Sequence, residues 1–344
     1  MKNINKFFLV SSILAFTHLN AEQNMIPAEY FACYSNSYEM QMSPNGEYLT
    51  IVSPPRENKC DIESDLRKGV EDDFRGGKLT LFNLKNGSTT VLTSGKGSSS
   101  VSGVRWVSDN RLIFTASPTN SAGKSITAYA MWGMNIDGSK KRKLFEFSSA
   151  QGAIVRPSLT SLLPEEPDHI MISENSRRGS VDDYYKLNIN TGAKKRVANG
   201  PDVDDGEWIS NVVVRTDGIP LAAVSNRIDE WRIWRYFPEQ KTWEVHFTNK
   251  CQKPTFFPLS GNDNTWLVAG QDVSKSNEFN EENDKSKLFT YDPDTRSFDL
   301  LYEDSEYDVA GPVGGCRQAQ GGASIDEKTN ELIYVSYYAE KPVR

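Results

Sequence analysis

Two kinds of short segment alternate along this chain, and this alternation restricts its possible folds more than any other feature. The first kind, a turn followed by a short apolar run, recurs at intervals of 44 to 65 residues and begins at residues 43, 107, 164, 215, 259 and 324. The second kind is a strand, a tight turn and another strand, and it begins at residues 78, 129, 184, 231 and 287. Self-similarity at such a period is typical of repeat architectures.

The second kind of segment has the chemistry of a β-hairpin. In "KLTLFNLKNGSTTVLT" (78–93) and "YYKLNINTGAKKRVA" (184–198), Asn-Gly and Thr-Gly stand between arms that alternate apolar with polar residues. One inner strand region and one hairpin together make a four-stranded blade, so the sequence predicts an all-β propeller with about five complete blades and a partial sixth. A β-sandwich also has many short strands, but it gives no reason for two classes to alternate. No segment shows a convincing helical period.

The first residues have the layout of a secretory signal. In "MKNINKFFLVSSILAFTHLNA" (1–21), two lysines precede an apolar run, and a small residue, Ala21, stands before Glu22. The run is about half the roughly 20 residues that a membrane-spanning helix needs. The sequence therefore predicts cleavage near Ala21, a periplasmic or secreted protein with no membrane association after cleavage, and a propeller domain over residues 26–344.

The remaining composition fits a folded exported domain. Hydrophobic residues make up 38% of the chain and aromatic residues 11%, enough for a packed core. Loss of two lysines with residues 1–21 changes the net charge from −7 to −9, and no basic stripe is present, so nucleic acid is not an expected partner.

Four cysteines remain after the signal segment: Cys33, Cys60, Cys251 and Cys316. An even number in an exported chain favours disulfides. Cys251 and Cys316 follow the fourth and fifth hairpins at equivalent positions, and Cys33 and Cys60 flank the first inner strand. The pairs Cys33–Cys60 and Cys251–Cys316 are predicted on this basis, and the two other pairings stay open.

The order of several motifs resembles a known family. The segment "IPAEYFACYSNSYEMQMSPNGEYLTIVSP" (26–54) is followed by "VSDNRLIF", "MNIDGSKKRKLF" and "LLPEEPDHIMIS". This series resembles the N-terminal propeller of exported bacterial serine peptidases of the prolyl oligopeptidase family. In that family a seven-bladed propeller covers an α/β-hydrolase domain, which carries the catalytic Ser, Asp and His. The resemblance implies a lid that screens peptide substrates by size, a ring that is incomplete relative to seven blades, and chemistry that lies outside this chain.

The sequence contains no strong catalytic or metal-binding motif. No G-x-S-x-G pentapeptide occurs, and the serine-rich stretch 95–103 is interpreted as a loop between strands. His169 and His246 have no Cys, His or carboxylate at ligand spacing, so structural roles are expected rather than a triad base or a zinc ligand. We predict no catalytic residue, no metal site and no cofactor.

Two further stretches allow either a purely structural or a functional interpretation. Asp202, Asp204 and Asp205 in "PDVDDGEW" (201–208) are candidate calcium ligands, but a solvated loop between blades is favoured because the later bidentate glutamate is lacking. The stretch "DEWRIWRYF" (229–237) is interpreted as one strand with its aromatic residues towards the core and its arginines outside.

Two functions follow. The first is the non-catalytic propeller portion of a prolyl-oligopeptidase-like serine peptidase, a substrate-gating lid that is inactive alone and works with a separate α/β-hydrolase chain. The second is a stand-alone exported propeller that binds a protein, peptide or glycan through its loops, since fold alone does not fix function.

Overall fold

The structure is a computed structural model. It describes residues 39–53, 78–94, 99–118, 129–146, 157–175, 181–280, 284–312, 318, 322–326, 328–329, 331–338 and 342–343. These residues form β-strands, turns and irregular segments, and none of them lies in a helix. No helix in this part of the chain is therefore long and apolar enough to cross a bilayer.

The strands form five four-stranded antiparallel sheets and one three-stranded sheet. Blade one contains β1 (Glu39–Met42), β2 (Tyr48–Ser53), β3 (Lys78–Asn83) and β4 (Thr89–Ser94). Blade two contains β5 (Ser99–Ser108), β6 (Arg111–Pro118), β7 (Ala130–Asn135) and β8 (Arg142–Glu146). Blade three contains β9 (Ser158–Leu162), β10 (His169–Glu174), β11 (Asp183–Asn188) and β12 (Lys194–Ala198).

The second half of the chain repeats this plan. Blade four contains β13 (Trp208–Val214), β14 (Pro220–Arg227), β15 (Glu230–Phe237) and β16 (Thr242–Lys250). Blade five contains β17 (Phe256–Gly261), β18 (Trp266–Gly270), β19 (Lys287–Asp292) and β20 (Ser297–Tyr302). Sheet six contains β21 (Gly322–Ile325), β22 (Leu332–Tyr338) and β23 (Pro342–Val343). In every sheet, strands consecutive in sequence are hydrogen-bonded neighbours. The predicted β-propeller of five complete blades and a partial one is confirmed.

One end of every blade is closed by tight turns that the sequence specifies. The connections between the first and second strands and between the third and fourth strands lie at this end, which we call the turn face. Asn and Asp side chains accept backbone N–H groups two or three residues ahead, as Asp292 does from Asp294 at 2.8 Å and from Thr295 at 3.0 Å. These bonds replace missing ladder bonds and set the tight reversal. Bonds from backbone N–H groups also lower the pKa of Asp292 and Asp326.

Buried apolar clusters join each sheet to the next. Phe114 and Met134 of blade two pack on Leu79 of blade one, and each of these three side chains is at most 1% exposed. Equivalent clusters join blades two and three, three and four, and four and five, and Ala269 and Leu288 of blade five pack on Leu332 of sheet six. The sheets therefore stack face to face in chain order. Among the residues with described positions, no such cluster joins sheet six to blade one.

Two local expectations need correction. Ser99 to Gly103 do not belong to a loop, because β5 begins at Ser99 and pairs with β6. This pairing outweighs the tendency of Ser and Gly to form loops, and residues 95–98 of the predicted loop lie outside the described residues. The stretch 229–237 does contain one strand, β15, but its two arginines are not on a single outer face. Arg232 and Arg235 are three residues apart, so each sheet face carries one of them.

Candidate functional site

The end of the blades opposite the turn face carries the connections that vary between blades. We call it the loop face; it includes the links between second and third strands and the links between blades. Its described connections include 199–207, 228–229 and 251–255. Binding residues are commonly held on variable loops that a rigid scaffold positions, so the loop face is the candidate functional site.

A buried carboxylate anchors the loop face between blades three and four. Glu207 is 2% exposed and precedes β13. Its Oε1 accepts a hydrogen bond from the Ser225 hydroxyl, which also accepts one from Trp234 Nε1 at 2.8 Å. Its Oε2 accepts bonds from the Asp204 backbone N–H at 3.0 Å and from Arg232 Nη1 at 3.1 Å. A buried charge with this many partners is compensated, and it holds the connection 199–207 against β14 and β15.

Arg232 forms salt bridges with three carboxylates at this point. It pairs with Asp204 and Glu230, each at 2.8 Å, in addition to Glu207. Burial acts to lower the pKa of Arg232, but the three carboxylates outweigh it and the pKa is raised. Arg227 also reaches Asp204 at 3.4 Å. The loop is exposed to solvent at Asp202, Asp204 and Asp205, as predicted, and the arginine contacts of Asp204 fix its position.

The acidic stretch 201–208 is not a calcium loop in this arrangement. The Asp204 carboxylate faces Arg227 and Arg232, whose positive charges compete with a cation. No group of three or more His, Cys, Asp or Glu side chains in the described part of the chain is arranged to hold a metal ion.

Blade three contributes a second acidic group to the loop face. Ser173 Oγ donates to Asp182 Oδ2 at 2.8 Å and lies 2.8 Å from Ser158 Oγ. Burial raises the pKa of Asp182, and the neighbouring charges of Asp183 and Glu174 raise it further, against the bond from Ser173. This serine and carboxylate pair has no imidazole beside it among the placed residues, so it lacks the base that would activate a serine nucleophile.

His246 lies in the interface between blades four and five. Its Nε2 is 2.6 Å from the Tyr291 hydroxyl, and its ring centroid is 5.2 Å from that of Trp266. Burial lowers the pKa of His246 to about 4, and Arg296 and Arg235 lower it further. Burial raises the pKa of Tyr291 to about 12. At neutral pH the phenol therefore donates to a neutral imidazole, an arrangement suited to packing.

His169 lies at the start of β10, next to the turn face. Its Nδ1 is 3.5 Å from Glu166 Oε2, and its Nε2 is 3.3 Å from Asn188 Nδ2. The absence of a carboxylate partner was therefore a wrong expectation for His169, because Glu166 is its neighbour in the turn. Ser173 is four residues further along the same strand, about 13 Å away at 3.3 Å per residue.

The cysteine predictions fall largely outside the described residues. Cys33, Cys60 and Cys316 are not described, so neither predicted pairing is tested. Cys251 is fully buried beside Trp231, Val224 and Phe257, and it is not a free thiol. Its position directly after β16 is the one expected from the repeat.

The sequence did not indicate the contacts that organise the loop face. Glu207 is 18 residues from Ser225 and 25 residues from Arg232, and no motif relates them. One sequence feature could have indicated these contacts: two arginines lie in an otherwise aromatic strand, and an acidic segment precedes that strand in the chain.

Comparison with known proteins gives similarities of fold only. No family model matches the chain, and no curated protein matches it. An oligogalacturonate lyase solved with manganese is 12% identical with a TM-score of 0.49, covering 89% of this chain and 75% of that chain. The propeller domain of the Trilobed protease from Pyrococcus furiosus, described as having an open Velcro topology, is 13% identical with a TM-score of 0.46 and coverages of 80% and 75%.

A structure from a study of two prolyl endopeptidases is 10% identical with a TM-score of 0.45. It is matched over 87% of this chain, which spans 39% of that enzyme's length. The propeller architecture is established by the six sheets of the chain itself, independently of these similarities.

Proposed function

We propose that this chain is the non-catalytic propeller portion of a prolyl-oligopeptidase-like serine peptidase, in which it acts as a lid that limits access of peptides. The catalytic groups of that peptidase would belong to an α/β-hydrolase domain outside the described residues. The motif order of residues 26–198 supports this role through the family resemblance.

The placement of the histidines is the observation that carries the proposal. His246 is held between blades four and five by Tyr291, and His169 lies at the turn face beside Glu166. The buried or half-buried serines with carboxylate partners, Ser173 and Ser225, are at the loop face. A serine nucleophile needs a base within hydrogen-bond reach, and neither described histidine provides it.

A lid also needs a fixed surface, and the contacts of Glu207 support this. Its carboxylate joins the connection 199–207 to β14 and β15 through Ser225 and Arg232. Closed networks of this kind restrict side-chain and loop motion. A fixed loop face would exclude substrates by size and would not reshape around them.

Hydrolysis assays test the proposal directly. The purified chain is incubated with fluorogenic aminoacyl and dipeptidyl substrates, and hydrolysis is followed with and without a serine-directed inhibitor. We expect no turnover above buffer. Saturable hydrolysis that the inhibitor abolishes would contradict a non-catalytic role.

A stand-alone binding propeller is the second candidate, and one observation favours it. Trp208 is 49% exposed and Ile228 is 85% exposed, both at the loop face of blade four. Ile228 also has a φ of 33°, a region that β-branched residues rarely adopt. Exposed apolar side chains with a polar rim are common at binding surfaces.

Titration of a Phe-containing peptide and of a neutral oligosaccharide, with Trp208→Ala as the variant, tests this second role. A monodisperse chain that melts cooperatively and binds either probe through Trp208 would favour it. A chain that binds neither would leave the lid role as the better account.

A further inference from the structure

The outer face of blade one is built like a face that packs on a preceding sheet. In blade two, the cross-strand pair Leu112–Met134 points towards blade one, and both side chains are at most 1% exposed. In blade five, the equivalent pair Trp266–Tyr291 points towards blade four and is at most 2% exposed. The position recurs at the start of the second strand in each case.

Blade one has an apolar cross-strand pair at the same position, but none of the described residues packs on it. Leu49 pairs with Phe82 at the equivalent position, and both remain partly exposed. On the same face β1 contributes Met40 and Met42, which are 55% and 60% exposed, and β4 contributes Val91, which is 52% exposed. The face carries eight uncharged residues and one charged residue, Lys78, at the loop-face end of β3; the uncharged residues are Met40, Met42, Leu49, Ile51, Thr80, Phe82, Thr89 and Val91.

Sheet six presents the opposite kind of open face. Leu332 and Val335 pack on blade five, whereas Tyr334 pairs with Ser324 on the other side of the sheet and is 46% exposed. Ile333, at the irregularity of β22, is 60% exposed. Every other sheet uses the corresponding side to contact the sheet that follows it.

Contiguous exposed apolar faces are characteristic of interfaces. The face-to-face stacking of the sheets would continue in the same way if the outer face of blade one packed on the outer face of sheet six. The chain's own sheet six does not cover this face, because Met40, Met42 and Val91 remain more than half exposed. A second copy offers the same face without any repacking.

We propose that the outer face of blade one binds the outer face of sheet six of a second copy, so that chains associate head to tail. Such a contact is heterologous, joining two different surfaces, and leaves one unused face at each end. Lys78 lies at the edge of the blade-one face, where a lysine keeps its ammonium group in water, so no ion has to be desolvated at the centre of the contact. The contact involves neither the loop face nor hydrolysis, so it does not depend on the proposed lid role.

A capping experiment tests this contact. Met42→Glu blocks the blade-one face and Tyr334→Glu blocks the sheet-six face, and each leaves the other face intact. Leu300→Glu is the matched control, because Leu300 is 52% exposed on the outer strand of blade five, away from both faces. Sedimentation velocity over the micromolar range measures association, and circular dichroism checks that each variant is folded.

We expect wild type and Leu300→Glu to show concentration-dependent species larger than a dimer. Each face variant alone should be at least tenfold weaker in association. A 1:1 mixture of the two variants should give a dimer and nothing larger, because one intact pair of faces remains.

Three results would overturn the proposal. A wild-type chain that stays monomeric over the whole concentration range would show that the contact does not form. Association that survives Tyr334→Glu but not Met42→Glu would mean that two blade-one faces pack on each other. A mixture that forms no dimer, although wild type associates, would place the contact elsewhere.

Discussion

Charging His246 should destabilise the folded chain as pH falls. The imidazole is partly buried between blades four and five, with its Nε2 at 2.6 Å from the Tyr291 hydroxyl. Its pKa is lowered from 6.5 to about 4, first by burial and then by Arg296 and Arg235, with Asp294 acting the other way. The folded state therefore prefers the neutral ring, whereas the unfolded chain takes up a proton near pH 6.5.

The sign and size of the effect follow from this difference. Stability contributed by neutral His246 is fully present above pH 6.5 and is lost as pH falls towards 4, because the unfolded state binds the proton first. A shift of this size corresponds to about 2 kcal/mol at pH 5 from 1.36 kcal/mol per pKa unit. The ring is not completely buried, so we expect about 1–2 kcal/mol after screening by solvent.

Urea unfolding at pH 7.5 and at pH 5 measures the effect, with His246→Gln as the variant that cannot take up a proton. Wild type should lose about 1–2 kcal/mol more than the variant between the two pH values. His169→Gln is the matched control, because His169 lies at the turn face and not in a blade interface. If wild type and His246→Gln lose the same amount, His246 is not held neutral by the interface.

Three changes test the packing of the blades, each by urea unfolding. Gly270→Ala should destabilise the fold by about 3 kcal/mol or more, because a Cβ there would lie 2.3 Å from the Thr255 carbonyl oxygen. Its control, Gly138→Ala, has a φ of +79° and open space around it and should cost about 1 kcal/mol. Equal costs would contradict the close approach at Gly270. Arg232→Ala should cost about 3 kcal/mol by leaving a buried carboxylate without its cation, and a cost near zero would show that water replaces it. Phe114→Ala should cost about 3–5 kcal/mol through a cavity between blades one and two; a small cost would mean that the interface collapses around it.

The blades could be predicted from sequence because their determinants are local. Hairpin arms such as 184–198 alternate apolar and polar residues, and an Asx turn closes the strands at Asn188. Both features act over a few residues, so a single sequence displays them. Ser99 to Gly103 were misassigned because pairing with β6, which sequence composition does not show, decided their structure.

The loop-face contacts and the contacts between blades could not be predicted, for the opposite reason. Glu207 meets Arg232 across 25 residues, and His246 meets Tyr291 across 45 residues. Such contacts depend on the register of each sheet and on the distance between blades. A sequence pattern gives the sheet type but not which side chain of one blade faces which side chain of the next.

Covalent labelling of serine tests the non-catalytic role most directly. The folded chain is treated with a fluorophosphonate, which modifies activated serines, and its intact mass is measured. The proposed role predicts an unchanged mass, because neither described histidine is placed to activate a serine. Stoichiometric addition at a single serine, lost when the chain is unfolded first, would contradict it.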